Sequence, residues 1–489
     1  MAQRLTVTLS FLLGLSMSTI GPSLRAAEPS SLVASHLRHL IEQGTDRYGK
    51  QHSPRWMAAL DLTTMRYPDD PLPKAGRRAY RDIHAPQGSN IYLDAPTLVA
   101  AVRLSAVIGE QRYADAARAY IEEFLQGGQS RSGLLRWGHH HYYDAFADRH
   151  RGFNQGKNNG SRHELRPWCP PWELLAAVDP QATDRALQAL VFHLHEPSGA
   201  FDRHAVLGGY DRPPEDCTFL EAGAVLAESF CYLGQRRDED RWVDLALDVA
   251  RWSFKHRDPD TGLLSNNPTK KRWDQQVCTS EIGVWARALL RSHALSGRQE
   301  FRELADAALR AWLQHAWLPD ERRYAGMVDL PTGRPVHHPG PYRPARLSDI
   351  WNNAFPAHDY PLPLAECCVV FYEQTGAPVY REAIQRWADI IADSPVPTAA
   401  EEGYGPYAEV FGRAIHFLLR AHEATDEDAY RRQAEAMAEQ AVALLFDGRM
   451  FRGHAGEERY DATGGVGWLL LALLHLETGA CSEDSCLHF

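Results

Sequence analysis

Three short segments gather the side chains with the most chemical capacity: Trp137-Gly-His-His-His-Tyr-Tyr-Asp144, His163-Glu164-Leu-Arg166 and Gly199-Ala-Phe-Asp-Arg-His204. Imidazole nitrogens and carboxylate oxygens are the ligand types of a first-row divalent metal ion. Arg166 and Arg203 add the forked donors that grip a carboxylate bidentately. Together these groups could polarise an anionic substrate. The spacing matches no short metal motif, and each segment has an ordinary reading. A histidine triplet is often a solvated surface feature, and His-Glu before Leu can simply open a helix. Trp137, Tyr142 and Tyr143 could stack on sugar faces or act as hydrophobic plugs. Asp144 could orient a metal-bound histidine or cap a helix. Arg413, four residues beyond Glu409, could clamp a substrate carboxylate or pair with Glu409 at helical spacing. His337-His338, with His358 and Asp359, form a second polar loop, read as groove lining.

These segments lie in long stretches with little helical period, 127–173 and 195–215, and a third such stretch covers 330–363. Around them, apolar residues recur at helical spacing over 97–125, 221–254, 281–317, 364–391 and 408–445. Strand-like alternation is hard to find. A loose repeat runs through the helical parts: an apolar helix, a turn with glycine, an aromatic a few residues later, then an alanine-rich helix. Gly109-Glu-Gln-Arg-Tyr113, Gly297-Arg-Gln-Glu-Phe301 and Gly376-Ala-Pro-Val-Tyr380 are its turns. Helical hairpins repeating about every fifty to sixty residues cannot bury their apolar faces alone, so they must stack. An open stack would want a polar last repeat, yet Gly464-Gly-Val-Gly-Trp-Leu-Leu-Leu-Ala-Leu-Leu is strongly apolar. The expected fold is therefore all-α, an (α/α) toroid, with long loops on its rim carrying the site.

Trp-Gly-x-His with nearby aromatics, then His-Glu-Leu, then Phe-x-Arg-His resembles the family 2 polysaccharide lyases and their bacterial relatives, α/α-toroid pectate lyases. Thr261-Gly-Leu263, Tyr407-Ala-Glu409 with Arg413, and Gly464-Gly-Val-Gly467 extend the likeness over most of the chain. The resemblance implies metal ligands at His140, Glu164 and His204, with Arg203 as the Brønsted base and manganese as the ion, although calcium or another transition metal would also suit. Trp137, His141, Tyr143, Asp144, His163 and Arg413 are then candidates to touch substrate. His139 or His141 could replace His140. Relatives favour Asn where this chain has Asp202, which puts a negative charge beside a site meant for an anionic sugar.

The implied chemistry is β-elimination from a uronic-acid polysaccharide, pectate first. The C5 proton, α to the carboxylate, leaves, and the glycosidic oxygen departs from C4. A divalent cation on the carboxylate would stabilise the enolate-like charge, and a guanidinium would add to that. Free arginine is in effect always protonated. Arg203 must either be deprotonated, at a cost that the metal and burial offset, or act as an electrostatic clamp.

Residues 1–27 have the layout of a secretory signal, with an apolar run from Leu5 to Ile20 and small residues at Ala26 and Ala27. The expectation is export to the periplasm or beyond, and one toroidal domain over 28–489. No further apolar run suggests a membrane span. A net charge of −11 argues against nucleic acid as a partner, and there is no P-loop or dinucleotide fingerprint. The protein is expected to act as a monomer on an acidic polysaccharide or oligosaccharide. Of the eight cysteines, Cys481 and Cys486 are the best candidates for a disulfide. Two rivals remain. One is a toroid glycoside hydrolase acting on unsaturated uronyl oligosaccharides, which would need a carboxylic acid such as Asp94, Asp144 or Glu221. The other is a glycan-binding protein without catalysis.

Overall fold

The computed structural model describes residues 28–69, 85–138, 140–152, 161–195, 199–208, 217–270, 273–337, 346–351, 361–397 and 405–479. Helices α1 (Pro29–Gln43), α2 (Ile91–Ile108), α3 (Arg112–Gly128), α4 (Trp172–Val178), α5 (Pro180–Ala189), α6 (Leu220–Arg237) and α7 (Asp240–Phe254) fill the first half. Helices α8 (Thr279–Ser296), α9 (Gln299–Ala316), α10 (Leu362–Thr375), α11 (Pro378–Ala392), α12 (Ala408–Thr425), α13 (Asp428–Leu445) and α14 (Val466–Thr478) fill the second.

Even-numbered helices form the inner wall and odd-numbered ones the outer. Burial shows why. Helices α6, α12 and α14 are buried almost all round, because they meet an inner neighbour on either side and an outer helix behind. The outer helices α3, α7 and α9 bury one apolar stripe and turn charged residues outward. Along the inner wall α6 packs on α8, α8 on α10, α10 on α12, α12 on α14, and α14 on α2. The seventh hairpin is made from distant segments, α1 lying against α14, with the Ser30 amide donating to Glu477 Oε2 at 2.6 Å. The expected toroid is therefore what the chain builds. Helix α2 is long and apolar enough, by length and composition, to cross a membrane, but 67% of that stretch is buried within the ring.

Each inner helix except the short α4 ends in a residue with left-handed backbone: Gly109, Asp238, Gly297, Gly376, Asp426 and Gly479, with φ between 55° and 75°. At Gly109, Gly297 and Gly376 an added Cβ would meet nothing within 4 Å, so the dihedral rather than crowding asks for glycine. The chain then turns at once into the outer helix. At the opposite end of the ring, long connections run from each outer helix to the next inner one, and they hold every strand pair among the described residues. One such pair, Ala59–Asp61 with Arg459–Asp461, joins the two ends of the ring. Six cysteines, Cys169, Cys217, Cys231, Cys278, Cys367 and Cys368, are buried free thiols; Cys481 and Cys486 lie outside the described residues, as does the segment 1–27.

Candidate active site

The site grows from one antiparallel strand pair on the long-loop end of the ring. Arg162–Glu164 pairs with His204–Val206, so that Glu164 stands opposite His204 and His163 opposite Ala205. The pairing continues past the strand ends: the Leu165 amide donates to the Arg203 carbonyl at 2.9 Å, and the Arg203 amide to the Cys217 carbonyl at 2.7 Å. Arg203 is thus fixed at its backbone from both sides.

Onto Glu164 converge three other side chains. His140 Nδ1 lies 2.7 Å from Glu164 Oε2. Arg203 Nη2 lies 2.7 Å from Oε1, and His204 Nε2 lies 3.6 Å from the same oxygen. Arg203 also reaches Glu221 Oε1, in the first turn of α6, through Nη1 at 3.1 Å. Arg166 Nη1 approaches both carboxylates, Glu164 at 3.3 Å and Glu221 at 3.5 Å. Two carboxylates and two guanidiniums therefore form a closed, charge-balanced square. Exposure separates its back from its mouth: side chains of Glu164, Glu221 and Arg166 are only 3–5% exposed, whereas Arg203 and His204 are 12% and His140 19% exposed. His140, Arg203 and His204 are thus the members that solvent reaches.

The electrostatics follow from this packing. Burial would raise the Glu164 carboxyl, but His140 and Arg203 outweigh it and hold Glu164 well below the usual carboxylate range. Burial would lower Arg203, but Glu164 and Glu221 overcome that and lift the guanidinium above its ordinary value. Glu221 goes the other way: burial and the neighbouring Glu164 charge outweigh Arg203 and push its carboxyl up to about 7. Burial also opposes protonation of His204, yet Asp202 and Glu164 raise it overall.

Asp202 does not add a free negative charge to the cleft. Its carboxylate is fully buried, with Oδ1 accepting from the His204 amide and Oδ2 from the Cys217 amide, both at 2.8 Å. Its Oδ1 lies 3.6 Å from His204 Nδ1, which leaves Nε2 directed at Glu164. Behind this turn His193 Nδ1 sits 2.8 Å from the Asp202 carbonyl, and His193 Nε2 sits 2.7 Å from His163 Nδ1. Burial keeps both imidazoles neutral, pushing His193 down to about 4 and His163 well below its usual value.

The structure brings His140, Glu164, Arg203 and His204 together and gives the other candidates framework contacts. Trp137 is buried, donating to the Trp168 carbonyl at 3.2 Å and meeting Tyr92 edge-on. His141 is buried against the Arg162 carbonyl. Tyr143 lies under the Arg55 guanidinium, 4.0 Å from its ring centre. Asp144 accepts from the Phe146 and Ala147 amides and pairs with Arg151. Arg413 pairs with buried Glu409 at 3.0 Å and sits 4.0 Å above the Trp468 ring. His337 is exposed; His139, His338, His358 and Asp359 lie outside the described residues. Sequence reasoning gave Glu221 only to a rival mechanism and passed over His193, for which no local motif exists.

Among the described residues, no three or more His, Cys, Asp or Glu side chains are already arranged as a metal cage. The donor set nevertheless suits a divalent ion. His140 Nδ1 and His204 Nε2 lie 2.7 and 3.6 Å from the two oxygens of the one Glu164 carboxylate, and imidazole nitrogen with carboxylate oxygen is a donor set that such ions take.

Residues 81–209 match the family model described as periplasmic pectate lyase. The pectate lyase match spans all three segments that build the site. Among solved structures, a family 76 glycoside hydrolase from a bovine Bacteroides thetaiotaomicron strain aligns with a TM-score of 0.50 at 10% identity, over 94% of this chain and 79% of that one. An inactive variant of the α-1,6-mannanase of a Salegentibacter species, solved with α-1,6-mannotetrose, aligns with a TM-score of 0.48 at 9% identity, over 92% and 99%. The unsaturated glucuronyl hydrolase of a Bacillus species gives 0.42 at 15% identity, over 63% and 84%. The first of these is a likeness of fold. The family match points to a polysaccharide-processing enzyme, and the solved structure shows the fold alone.

Proposed function

We propose that this protein is an exported polysaccharide lyase, working in the periplasm or outside the cell, that cleaves pectate by metal-assisted β-elimination. The observation that carries the reading is the meeting of His140, Glu164, Arg203 and His204, drawn from three separate segments of the chain. His140, Glu164 and His204 would hold the ion, manganese first. A divalent cation bound there would act as a Lewis acid toward the uronate carboxylate.

The chain's own residues do the rest. Arg203 presents its guanidinium where charge develops, fixed by two backbone hydrogen bonds and two carboxylates, so little reorganisation is needed. As base it would take the C5 proton, the electron pair of the C5–H bond would form the C4–C5 double bond, and the C4–O bond would break, its electron pair staying on the leaving sugar oxygen, which takes up a proton from water. Both carboxylates hold Arg203 protonated. The base form therefore requires Glu164 to be engaged by a cation and Glu221 to be neutral, which its position near pH 7 permits. Asp202 keeps the His204 ring oriented while its own charge stays on amides.

One observation favours a second reading. Of the three acids that a hydrolase could use, Asp94 is buried with its carboxylate on the Tyr120 hydroxyl at 2.8 Å and Asp144 caps a turn, but Glu221 reaches the site and holds its proton up to about 7. That suits a general acid. The two readings separate on polygalacturonate after chelator treatment. Manganese-dependent growth of ultraviolet absorbance from the new C4–C5 double bond supports the lyase. New reducing ends without that absorbance overturn it.

A further inference from the structure

Phe146 stands out on the loop end of the ring. Of the large apolar side chains exposed among the described residues, Val107, Phe146 and Leu444, it is the one aromatic, at 43% exposure. Its ring is held rather than loose. Tyr48 stacks on it with centroids 4.3 Å apart and Tyr67 meets it edge-on at 6.2 Å. The Tyr48 hydroxyl accepts from the Tyr67 amide at 2.7 Å, and Asp144 grips the Phe146 amide at 3.1 Å. A rigid exposed ring has already lost the rotamer freedom that binding would otherwise cost.

The two loops that carry the stacked rings also carry three basic side chains. Asp148 spends its carboxylate on the amides of Lys50 at 2.8 Å and Gln51 at 3.3 Å, which locks the two loops together. Arg47 and Lys50, in the loop of Tyr48, and Arg149, three residues beyond Phe146, are exposed and have no ion pair among the described residues. The platform is joined to the candidate centre through the strand His141–Asp144, at most about 20 Å of chain from His140 to Phe146.

We propose that the Tyr48–Phe146 pair with its cationic rim is a distal subsite that binds a uronate residue of the polysaccharide, several sugars from the bond that is cut. The pyranose C–H face stacks on Phe146, and the uronate carboxylate meets Arg47, Lys50 or Arg149. This rests on the proposed uronan specificity. An aromatic contact of this kind contributes about 1 kcal/mol, which corresponds to roughly 3- to 10-fold in affinity.

The test is affinity electrophoresis of the full chain through gels containing polygalacturonate or a neutral glucan, together with turnover of digalacturonate and trigalacturonate. The expected result is that polygalacturonate retards the wild type, that Phe146→Ala weakens this about 3- to 10-fold, and that Phe146→Tyr restores it. Turnover of the short oligomers and the melting temperature should be unchanged in Phe146→Ala. Lys50→Ala and Arg149→Ala should each reduce the retardation, most at low salt. Equal retardation of wild type and Phe146→Ala, or none of either, overturns the subsite. Retardation that depends on Phe146 in a protein that releases no unsaturated product leaves the subsite standing and removes the lyase reading.

Discussion

Glu164 and His204 face each other across a two-stranded ribbon, and Arg203, one residue before the strand, folds its guanidinium back onto the same carboxylate. A register slip of one residue would turn Glu164 away from both. The ribbon is thus the device that brings Glu164, Arg203 and His204 into contact.

Removing the guanidinium should abolish catalysis and also cost stability. Arg203→Ala is expected to lower kcat by at least about 10²–10³ and to lower the melting temperature, because Glu164 and Glu221 are left buried with half their pairing gone. Arg203→Lys, which lacks the fork, should keep most of the stability and little of the rate. Steady-state assays on polygalacturonate and thermal denaturation of both variants check this; an Arg203→Ala protein with wild-type turnover would end the proposed mechanism.

Chelation should silence the enzyme and manganese should restore it. His140→Ala, Glu164→Gln and His204→Ala should each weaken manganese binding in calorimetric titration. Asp202→Ala is expected to weaken it about 10- to 100-fold, because the His204 ring and the turn that carries it both lose their anchor. Binding as tight in His140→Ala as in wild type would move the ligand role to another histidine.

Glu221→Gln should leave the fold intact and change the pH profile. The native carboxyl keeps its proton up to about 7, whereas the amide is neutral at every pH. Activity that falls through this range in the wild type should lose that limb in Glu221→Gln. An unchanged profile would assign the limb to another group.

Stability should peak in mildly acidic solution. His36 and His150 are pushed down to about 3, His141 and His193 to about 4, and His163 and His416 well below normal, all chiefly by burial. Below about 6.5 the unfolded chain takes up protons that these buried rings refuse, so stability is lost as pH falls. Asp94 and Glu366 are raised to about 8, and Glu221 and Glu228 to about 7. Here the folded chain holds protons that the unfolded chain has released, so stability is lost as pH rises from the ordinary carboxyl range to about 8. Glu366 is the clearest case, since neither carboxylate oxygen has a hydrogen-bond partner among the described residues. Glu366→Gln should raise the melting temperature at pH 8 and change it little at pH 5. Melting curves against pH decide it; an equal shift at both values would show that ionisation of Glu366 is not what costs stability.

Much of the architecture was legible because it rests on period and punctuation. Gly109, Gly297 and Gly376 marked the hairpin turns, and their left-handed backbone explains why glycine stands there. Asp238 and Asp426 take the same backbone without being glycine, which is why those turns were less visible. The strand pairs were missed since each strand has two to four residues, too few for alternation to register. In the site, residue types pointed to His140, Glu164, Arg203 and His204, but Glu221 sits in an apolar helix whose pattern hides it. Trp137 and Tyr143 looked like sugar platforms and carry packing contacts instead, while Phe146, in the turn that follows, is the ring left in solvent. Type and spacing do not report which side of a short ribbon meets water.

The pairing of α1 with α14 sets the order in which this molecule can be completed. Six of the seven hairpins join neighbours in sequence, while the last joins segments more than four hundred residues apart. A ribosome makes α1 first and α14 last, so the six hairpins between them can form as an open arc while α1 waits for the helix that will cover it. Closure is then a late, long-range step with a high loop-closure entropy. Until it happens the apolar stripe of α1, Leu32, Val33, Leu37 and Leu40, is open to other chains, so a partner that shields that helix during synthesis would govern yield without altering the finished protein.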